Sequence, residues 1–487
     1  MYDQPMHPRN EEHLISVMTA ALRAVDPQEA VRAHLVRTGS TLRVGEEEIL
    51  LDSVDRIVVV GAGKAGMPMV AAFQEALGDR IADGLVTVEY GHSTGGTPWQ
   101  IRFERRPSSS DERASAAIPM KSASSPAGEK CVRIVEAAHP IPDSAGLAAA
   151  QAIRDLAKSL GSRDVLLVVL SGGASALLPL PAEGITLADL QALTDLLLRC
   201  GAEIGEINTV RKHCSQLAGG QLARWAAPAR TVSLVLSDVV GNPLGSIGSG
   251  PTVADPSTFA DALTVLRRYG IEDAAPASIS AHLRRGATGA IADTPKPGDP
   301  LFARTTTVVV GDNQRAAMAA VRRARDIGWH SDLLTTYLQG EAREVGKVMA
   351  ALAQGIARGQ SDCTAPTCLI LGGETTVTLR GEGKGGRNQE LALAAAIALN
   401  RYDMPDSLDV SVVSLATDGT DGPTNAAGGR ATLHSVKRAL ALGLDPLAAL
   451  ADNNSNPLLA ALGDLLVTGP TQTNVNDLVL VSVLGRP

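Results

Sequence analysis

Aromatic residues are nearly missing from this chain, with three Trp, five Tyr and four Phe among 487 residues. Its cores must therefore be packed with Ala, Leu and Val. Cysteines are few and scattered, at Cys131, Cys200, Cys214, Cys363 and Cys368. Nothing near the closest pair, Cys363 and Cys368, completes a zinc set, and all five are expected to be reduced thiols of a cytosolic protein. No uninterrupted apolar run reaches the ~18 residues a membrane span requires, so a membrane partner is excluded. A basic block is missing too. With 44 basic against 52 acidic residues the net charge is −8, which argues against nucleic acid, whose phosphates need a concentrated cationic face. An anionic small substrate stays open, because a few local cations outweigh a diffuse negative surface. The opening stretch MYDQPMHPRNEEH is polar and lacks a signal-type apolar core, so a cytoplasmic location is expected.

The length implies more than one core, and two domains are expected. Helices over 13–37 divide at Asp26-Pro27, where Asp26 suits an N-cap and Pro27 a first turn. Apolar runs at 56–60, 84–89, 164–170 and 233–236 alternate with glycine-rich turns and helical stretches. That alternation predicts a parallel sheet with helices on both faces. A second α/β series follows, with strands at 305–310, 368–371, 410–416 and 478–484. Residues 93–130, rich in serine and arginine and without periodicity, read as a mobile surface insertion. Residues 281–302, rich in Gly, Pro, Ala and Thr, read as an interdomain connection, which places the domains at 13–298 and 299–487.

Ligands of open α/β sheets sit beyond the carboxyl ends of the strands. The richest such position is 371–390, LGGETTVTLRGEGKGGRNQE, where two short strands are expected to lead into a glycine loop and then a long Ala- and Leu-rich helix. Glycines such as Gly385 and Gly386 let backbone amides approach a ligand, and a helix start at Asn388 adds a positive field. Lys384 and Arg387 bring full charge to the same loop, with Glu374 at its entrance. Such a loop suits a phosphate or a carboxylate.

Gly61-x-Gly63-x-x-Gly66 formally matches a dinucleotide fingerprint, and Glu89 ends the next strand, where a ribose-binding acid would sit. That keeps hydride transfer open. Lys64 inside the motif, with cations and carboxylates in both halves, favours phosphoryl transfer instead. Ser171, Gly172, Gly173 and Ser175 form either a tight turn or an anion-binding one after a strand. Asn208, Arg211, Lys212 and His213 make either a solvated helix face or a set of cleft residues, with His213 a candidate general base. Asp418 and Asp421, three residues apart on a glycine turn, suit a hard cation or two Asx turns.

Taken in order, GAGKAG, LSGGASALL, EINTVRKH, LSDVVGNPLGSIGSGPT, LGGETTVTLRGEGKGGRNQE, ATDGTDGPT and TGPTQTNVNDL resemble the glycerate 2-kinase family. The resemblance covers nearly the whole chain except the extreme N-terminus and 93–130. Some members of that family carry the label hydroxypyruvate reductase. The resemblance implies an α/β fold with a Rossmann-like N-terminal domain, a C-terminal MOFRL domain and an active site in the cleft between them. It implies ATP-dependent, Mg²⁺-dependent phosphorylation of D-glycerate at the 2-hydroxyl, with a key lysine at Lys64 and a key arginine at Arg387. Departures exist: Glu89 precedes Tyr90-Gly91-His92 where a basic residue is expected, and Asn242 and Asn425 stand where relatives often carry aspartate.

In the resulting mechanism Arg387 holds the glycerate carboxylate, helped by the turn 171–175. Lys64 neutralises the moving γ-phosphoryl group, and Asp238 orients the attacking hydroxyl or accepts its proton. Asp418 and Asp421, with Glu374, bind Mg²⁺, and the loop 381–386 covers the nucleotide phosphates. An exchange of roles between Lys64 and Arg387 stays open, as do an NAD(P)H-dependent hydroxypyruvate reductase and a non-catalytic binder of sugar acids or nucleotides. The expected assembly, if any, is a homodimer.

Overall fold

Runs such as Ile-Val-Val-Val and Val-Leu-Leu-Val-Val-Leu, apolar on both faces, can only be buried strands of a covered sheet. The computed structural model describes residues 6–93, 99–104, 132–401, 404–405 and 407–486. The chain divides into two compact units, one of Pro27–Gly95 with Lys130–Gly311, the other of Met1–Asp26, Gly96–Glu129 and Asp312–Pro487.

The first unit holds six parallel strands. In space they run Thr305–Gly311, Arg230–Leu236, Val165–Leu170, Ile57–Ala62, Ile81–Glu89 and Arg133–Ala137. Numbered by position in the chain, that order is 3-2-1-4-5-6 read from the other edge, the doubly wound arrangement. The topological switch lies between Ile57–Ala62 and Val165–Leu170, which pair in register from Ile57 with Val165 to Ala62 with Leu170. Ala149, Ala150 and Ile153 of the helix Ser144–Lys158 pack with Val58, Val60, Leu166 and Val168. Asp143 caps that helix, accepting from the Gly146 amide at 2.9 Å. A three-stranded antiparallel meander, Leu35–Thr38, Thr41–Val44 and Glu47–Leu50, completes the unit's strands.

The second unit is also α/β, but its seven-stranded sheet is mixed. In order the strands are Leu333–Leu338, Thr367–Gly373, Asp477–Gly485, Leu408–Ala416, Gly428–Thr432, Leu465–Val467 and Arg102–Glu104. Only the first pair is parallel. The Ala-rich helix Arg387–Leu399 is buried along almost its whole length. It lies close to the helix Ala342–Ala357, where a Cβ at Gly346 would stand 2.4 Å from the Leu391 carbonyl oxygen.

Several sequence expectations need correction. The strand Thr305–Gly311 pairs with Arg230–Leu236, so it belongs to the first sheet and the division at 298 is not where the units part. The helix Pro8–Arg23 packs on Asn313–Asp326 in the second unit, so neither unit is a continuous piece of chain. Within 93–130, residues 94–98 and 105–130 lie outside the described residues, while Arg102–Glu104 is an ordered strand paired with Leu465–Val467. The stretch 281–302 is no connector. It begins within the helix Ala277–Ala287, and its Thr294 is buried, donating to Asp255 at 3.1 Å. Polar anchoring of this kind leaves no hydrophobic period to read. After Thr367–Gly373, finally, residues 374–386 form a loop and no second strand.

Candidate active site

At the switch point two turns lock together. The Ser171 amide donates to the Ala62 carbonyl at 3.1 Å, the Lys64 amide to the Gly172 carbonyl at 2.9 Å, and the Ala65 amide to Ser171 Oγ at 3.0 Å. The Gly63 amide reaches Thr87 O at 3.0 Å, and that of Gly66 closes on Gly63 O at 2.9 Å. A pyrophosphate cradle needs these amides free. Here the amides of residues 63–66 are engaged within the protein. The glycines serve packing: at Gly63, φ +136°, a Cβ would stand 2.1 Å from Ser171 Oγ, and at Gly61 1.9 Å from Val169 O. Gly66 lies against Val86 and Val88. Gly61, Gly63 and Gly66, expected as cofactor contacts, are thus the joint between two turns.

Lys64 projects from this joint, and its Nζ lies 3.5 Å from Glu89 Oε2. Glu89 is not presented to a ribose. Its other oxygen lies 3.7 Å from His139 Nδ1, and His92 Nε2 lies 4.0 Å from Oε2. The interaction with His139 holds the Glu89 carboxyl down at about 2; burial opposes it, and the charges of Lys64 and His92 add to it. Gly173, in the left-handed region at φ +87°, brings its Cα beside His139, since a Cβ there would lie 3.2 Å from Cδ2. Among the described residues the Gly172 and Gly173 amides have no partner. An ammonium and two imidazoles therefore gather at one carboxylate, with two unpartnered amides in the turn that bonds the Lys64 amide, an arrangement that can receive a phosphoryl group. Asp238 follows the strand Arg230–Leu236 and is half-buried.

The helix Ile204–His213 separates the residues the sequence grouped. Asn208 is buried, accepting from Ser249 Oγ at 3.1 Å, and Ser249 shares a 2.8 Å hydrogen bond with Ser175. Lys212 is buried 3.4 Å from Asp255. His213 is sealed between Thr209 O and Asp293, at 2.8 and 3.0 Å, so its ring holds the fold together and is not placed as a base. Among the described residues, Arg211 alone of these has no partner for its head group.

In the second unit the glycine loop is held from outside. Asn453 Oδ1 accepts from the amides of Arg380 and Gly381 at 2.7 and 3.1 Å, Asp452 Oδ1 from Glu382 at 3.1 Å, and Asn454 Oδ1 from Lys384 at 3.0 Å. The Gly383 amide reaches Asp452 O at 2.9 Å. Each glycine admits that segment closely: a Cβ at Gly381, Gly383 or Gly385 would stand 2.2–2.4 Å from Asp452, Asn454 or Ser455. Among the described residues only the amides of Gly385, Gly386 and Arg387 are left without a partner in the 380–389 stretch. Lys384 is exposed. Arg387 forks onto Asp477 and sets Nη1 2.9 Å from Glu374. Burial would lower its pKa, and the Asp477 and Glu374 charges raise it overall.

Asp421 does not fit a metal ligand. Its carboxylate is buried among donors: the Asn388 and Gln389 amides at 3.1 and 2.9 Å, with both of their side-chain NH₂ groups. Burial pushes its carboxyl up, and those donors pull it back. It caps the helix Arg387–Leu399, in the manner expected of an acid at a positive helix end. Asp418 accepts from the Thr420 amide at 3.0 Å, and Glu374 is already paired with a cation. Among the described residues no group of three His, Cys, Asp or Glu side chains is arranged to hold a metal ion.

Sequence reasoning missed His139, Asp477 and the Asp452–Asn454 segment. His139 stands two residues beyond a strand end, which is a signal once Arg133–Ala137 is recognised as a strand. Asp477 is the last residue but one of the motif TGPTQTNVNDL, but nothing local links it to Arg387, 90 residues earlier.

Comparison with known proteins fits this geometry. The MOFRL family matches residues 367–477, and a family described as a domain of unknown function, DUF4147, matches 13–284. The chain is 38% identical over 466 residues to the D-glycerate 2-kinase of Thermotoga maritima, covering 96% of each. It is 40% identical over 425 residues to a putative hydroxypyruvate reductase of Agrobacterium vitis, covering 87% of this chain and 86% of that one. The crystal structure of glycerate kinase from Thermotoga maritima superposes with a TM-score of 0.79 at 37% identity, covering 98% of this chain and 100% of that one.

Proposed function

This chain belongs to the glycerate kinase family, and we propose that it transfers the γ-phosphoryl group of ATP to the 2-hydroxyl of D-glycerate, giving 2-phosphoglycerate and ADP. The observation that carries this reading is the switch-point turn. Its fingerprint glycines have no amides left for a dinucleotide, while Lys64, whose own amide bonds the Gly172 carbonyl, carries its ammonium beside Glu89, and the amides of Gly172 and Gly173 have no partner among the described residues. A phosphoryl group in flight spreads charge over three oxygens and asks for cations and N–H donors.

In this scheme Lys64 stabilises that charge, and Glu89 with His139 holds Lys64 in place. Asp238 accepts the proton of the attacking hydroxyl. The Gly385–Arg387 amides, Lys384 and the two N–H groups of Arg387 left over from its carboxylate pairs bind nucleotide phosphates. The nucleotide enters as its magnesium complex, and no step is assigned to Asp421 or Asp418 as protein ligands of the metal. The cytoplasm, where ATP is at hand, is the proposed place of action.

A two-armed assay tests the reading. ADP release is followed with ATP, Mg²⁺ and D-glycerate, and NADH absorbance with hydroxypyruvate. Glycerate-dependent ADP release with steady NADH is expected; NADH oxidation without ADP release selects the reductase.

A further inference from the structure

Three adjacent basic residues end the helix Ile204–His213, and two are committed: Lys212 to Asp255 and His213 to Asp293. Arg211 is not. Its side chain is half-buried and has neither an ion pair nor a hydrogen bond among the described residues. It borders a pocket lined by Pro140, Leu180 and Leu217 together with Ser175, Ser215 and Ser249. Such walls withdraw the guanidinium from water without supplying a counter-charge, and desolvation alone shifts its pKa, downward. A cation in that state costs folding free energy until an anion arrives. To a carboxylate it offers a planar fork of donors in low-dielectric surroundings.

Ser175 ties this pocket to the switch point. Its hydroxyl shares the 2.8 Å bond with Ser249, and it stands three residues past Gly172, whose carbonyl takes the Lys64 amide at 2.9 Å. The turn 171–175 thus has Lys64 at one end and the Arg211 pocket at the other. We propose that Arg211 binds the carboxylate of the acceptor, a short 2-hydroxy acid, with Ser175 and Ser249 beside its hydroxyl groups. Arg387, expected from sequence to hold that carboxylate, faces Asp477 and Glu374 and in this scheme is given to the nucleotide. The assignment rests on the kinase reading and makes Arg211 the group that separates acids from neutral polyols.

The test compares wild type, Arg211→Met and Arg211→Lys in three measurements: steady-state kinetics with D-glycerate and with glycerol, calorimetric binding of D-glycerate without nucleotide, and Tm. For Arg211→Met the KM for D-glycerate is expected to rise about 100-fold, the usual scale for losing one partner of a desolvated charge pair. Its KM for ATP stays as in wild type, its preference for glycerate over glycerol collapses, and its Tm is unchanged or higher. Arg211→Lys recovers part of the affinity. A glycerate KM within threefold of wild type in Arg211→Met overturns the proposal, as does a loss accompanied by a fall in Tm and an equal loss of ATP affinity. If wild type forms no ADP with glycerate, the kinase reading fails and calorimetry decides the pocket alone. Binding of D-glycerate or glycolate that disappears in Arg211→Met upholds it, and equal or absent binding in both proteins overturns it.

Discussion

Arg387 grips Asp477 through two parallel hydrogen bonds, Nε to Oδ2 at 2.6 Å and Nη2 to Oδ1 at 3.0 Å. The fork fixes the first residue of the helix Arg387–Leu399 against the first residue of the strand Asp477–Gly485. Removing the Asp477 charge leaves a half-buried guanidinium with Glu374 alone. Asp477→Asn is expected to destabilise the fold by about 3 kcal/mol and to weaken ATP binding. Chemical denaturation and an ATP titration of kcat check both effects.

Lys64 and Glu89 form the corresponding pair in the first unit. Lys64→Ala is expected to lower kcat by roughly 10²–10³, the scale of losing one preorganised charge, with Tm nearly unchanged. Stopped-flow ADP release and thermal melts make the comparison.

Glu89 supplies a pH signature. Its folded pKa is about 2 against an ordinary glutamate value of 4.5, so its stabilising contribution is complete above about 4.5 and fades as pH falls toward 2. The Tm gap between wild type and Glu89→Gln should be open near pH 5 and close progressively between about 4.5 and 2. A gap that persists undiminished as pH approaches about 2 means the carboxylate is not the stabilising species.

Asp421 separates capping from metal binding. Asp421→Asn keeps the shape and removes the charge at the helix start, which should cost about 1–2 kcal/mol. The Mg²⁺ concentration giving half-maximal rate should not move. A tenfold increase in that concentration would make the carboxylate a ligand after all.

The glycine joint is open to a paired substitution. Gly63→Ala drives a Cβ into Ser171, whereas a Cβ at Gly39, φ +59°, would meet nothing within 4 Å. Gly39→Ala should cost only about 1–2 kcal/mol of backbone strain, and Gly63→Ala more than about 4 kcal/mol. Thermal melts of the two proteins isolate the contact from the strain.

Much of the fold and site is legible in the sequence, and the unread part has a common cause. Strand–turn–helix units announce themselves locally, because burial on both faces demands continuous apolar runs, as at Ile57–Ala62 and Val165–Leu170. Lys64 and Arg387, the cations of the proposed scheme, stand out by their glycine neighbourhoods. Which amides stay free is not. Asp452, Asn453 and Asn454 occupy the amides of 380–384 from about 70 residues away, and Ser171 engages Ala65 from 106 residues away. A glycine loop that cradles a ligand and one that cradles its own chain look alike in sequence. Arg211 is hidden in the same way, because a run of cations does not say which of its members has found a carboxylate.

NMR of the reaction product is the most direct test of the phosphoryl-transfer scheme. Purified protein is given ¹³C-labelled D-glycerate and magnesium ATP, and ³¹P and ¹³C spectra are followed together. Phosphorus coupling centred on C2, growing in step with ADP, is the expected result. Unchanged glycerate and ATP, with NADH consumed when hydroxypyruvate is supplied, would contradict it.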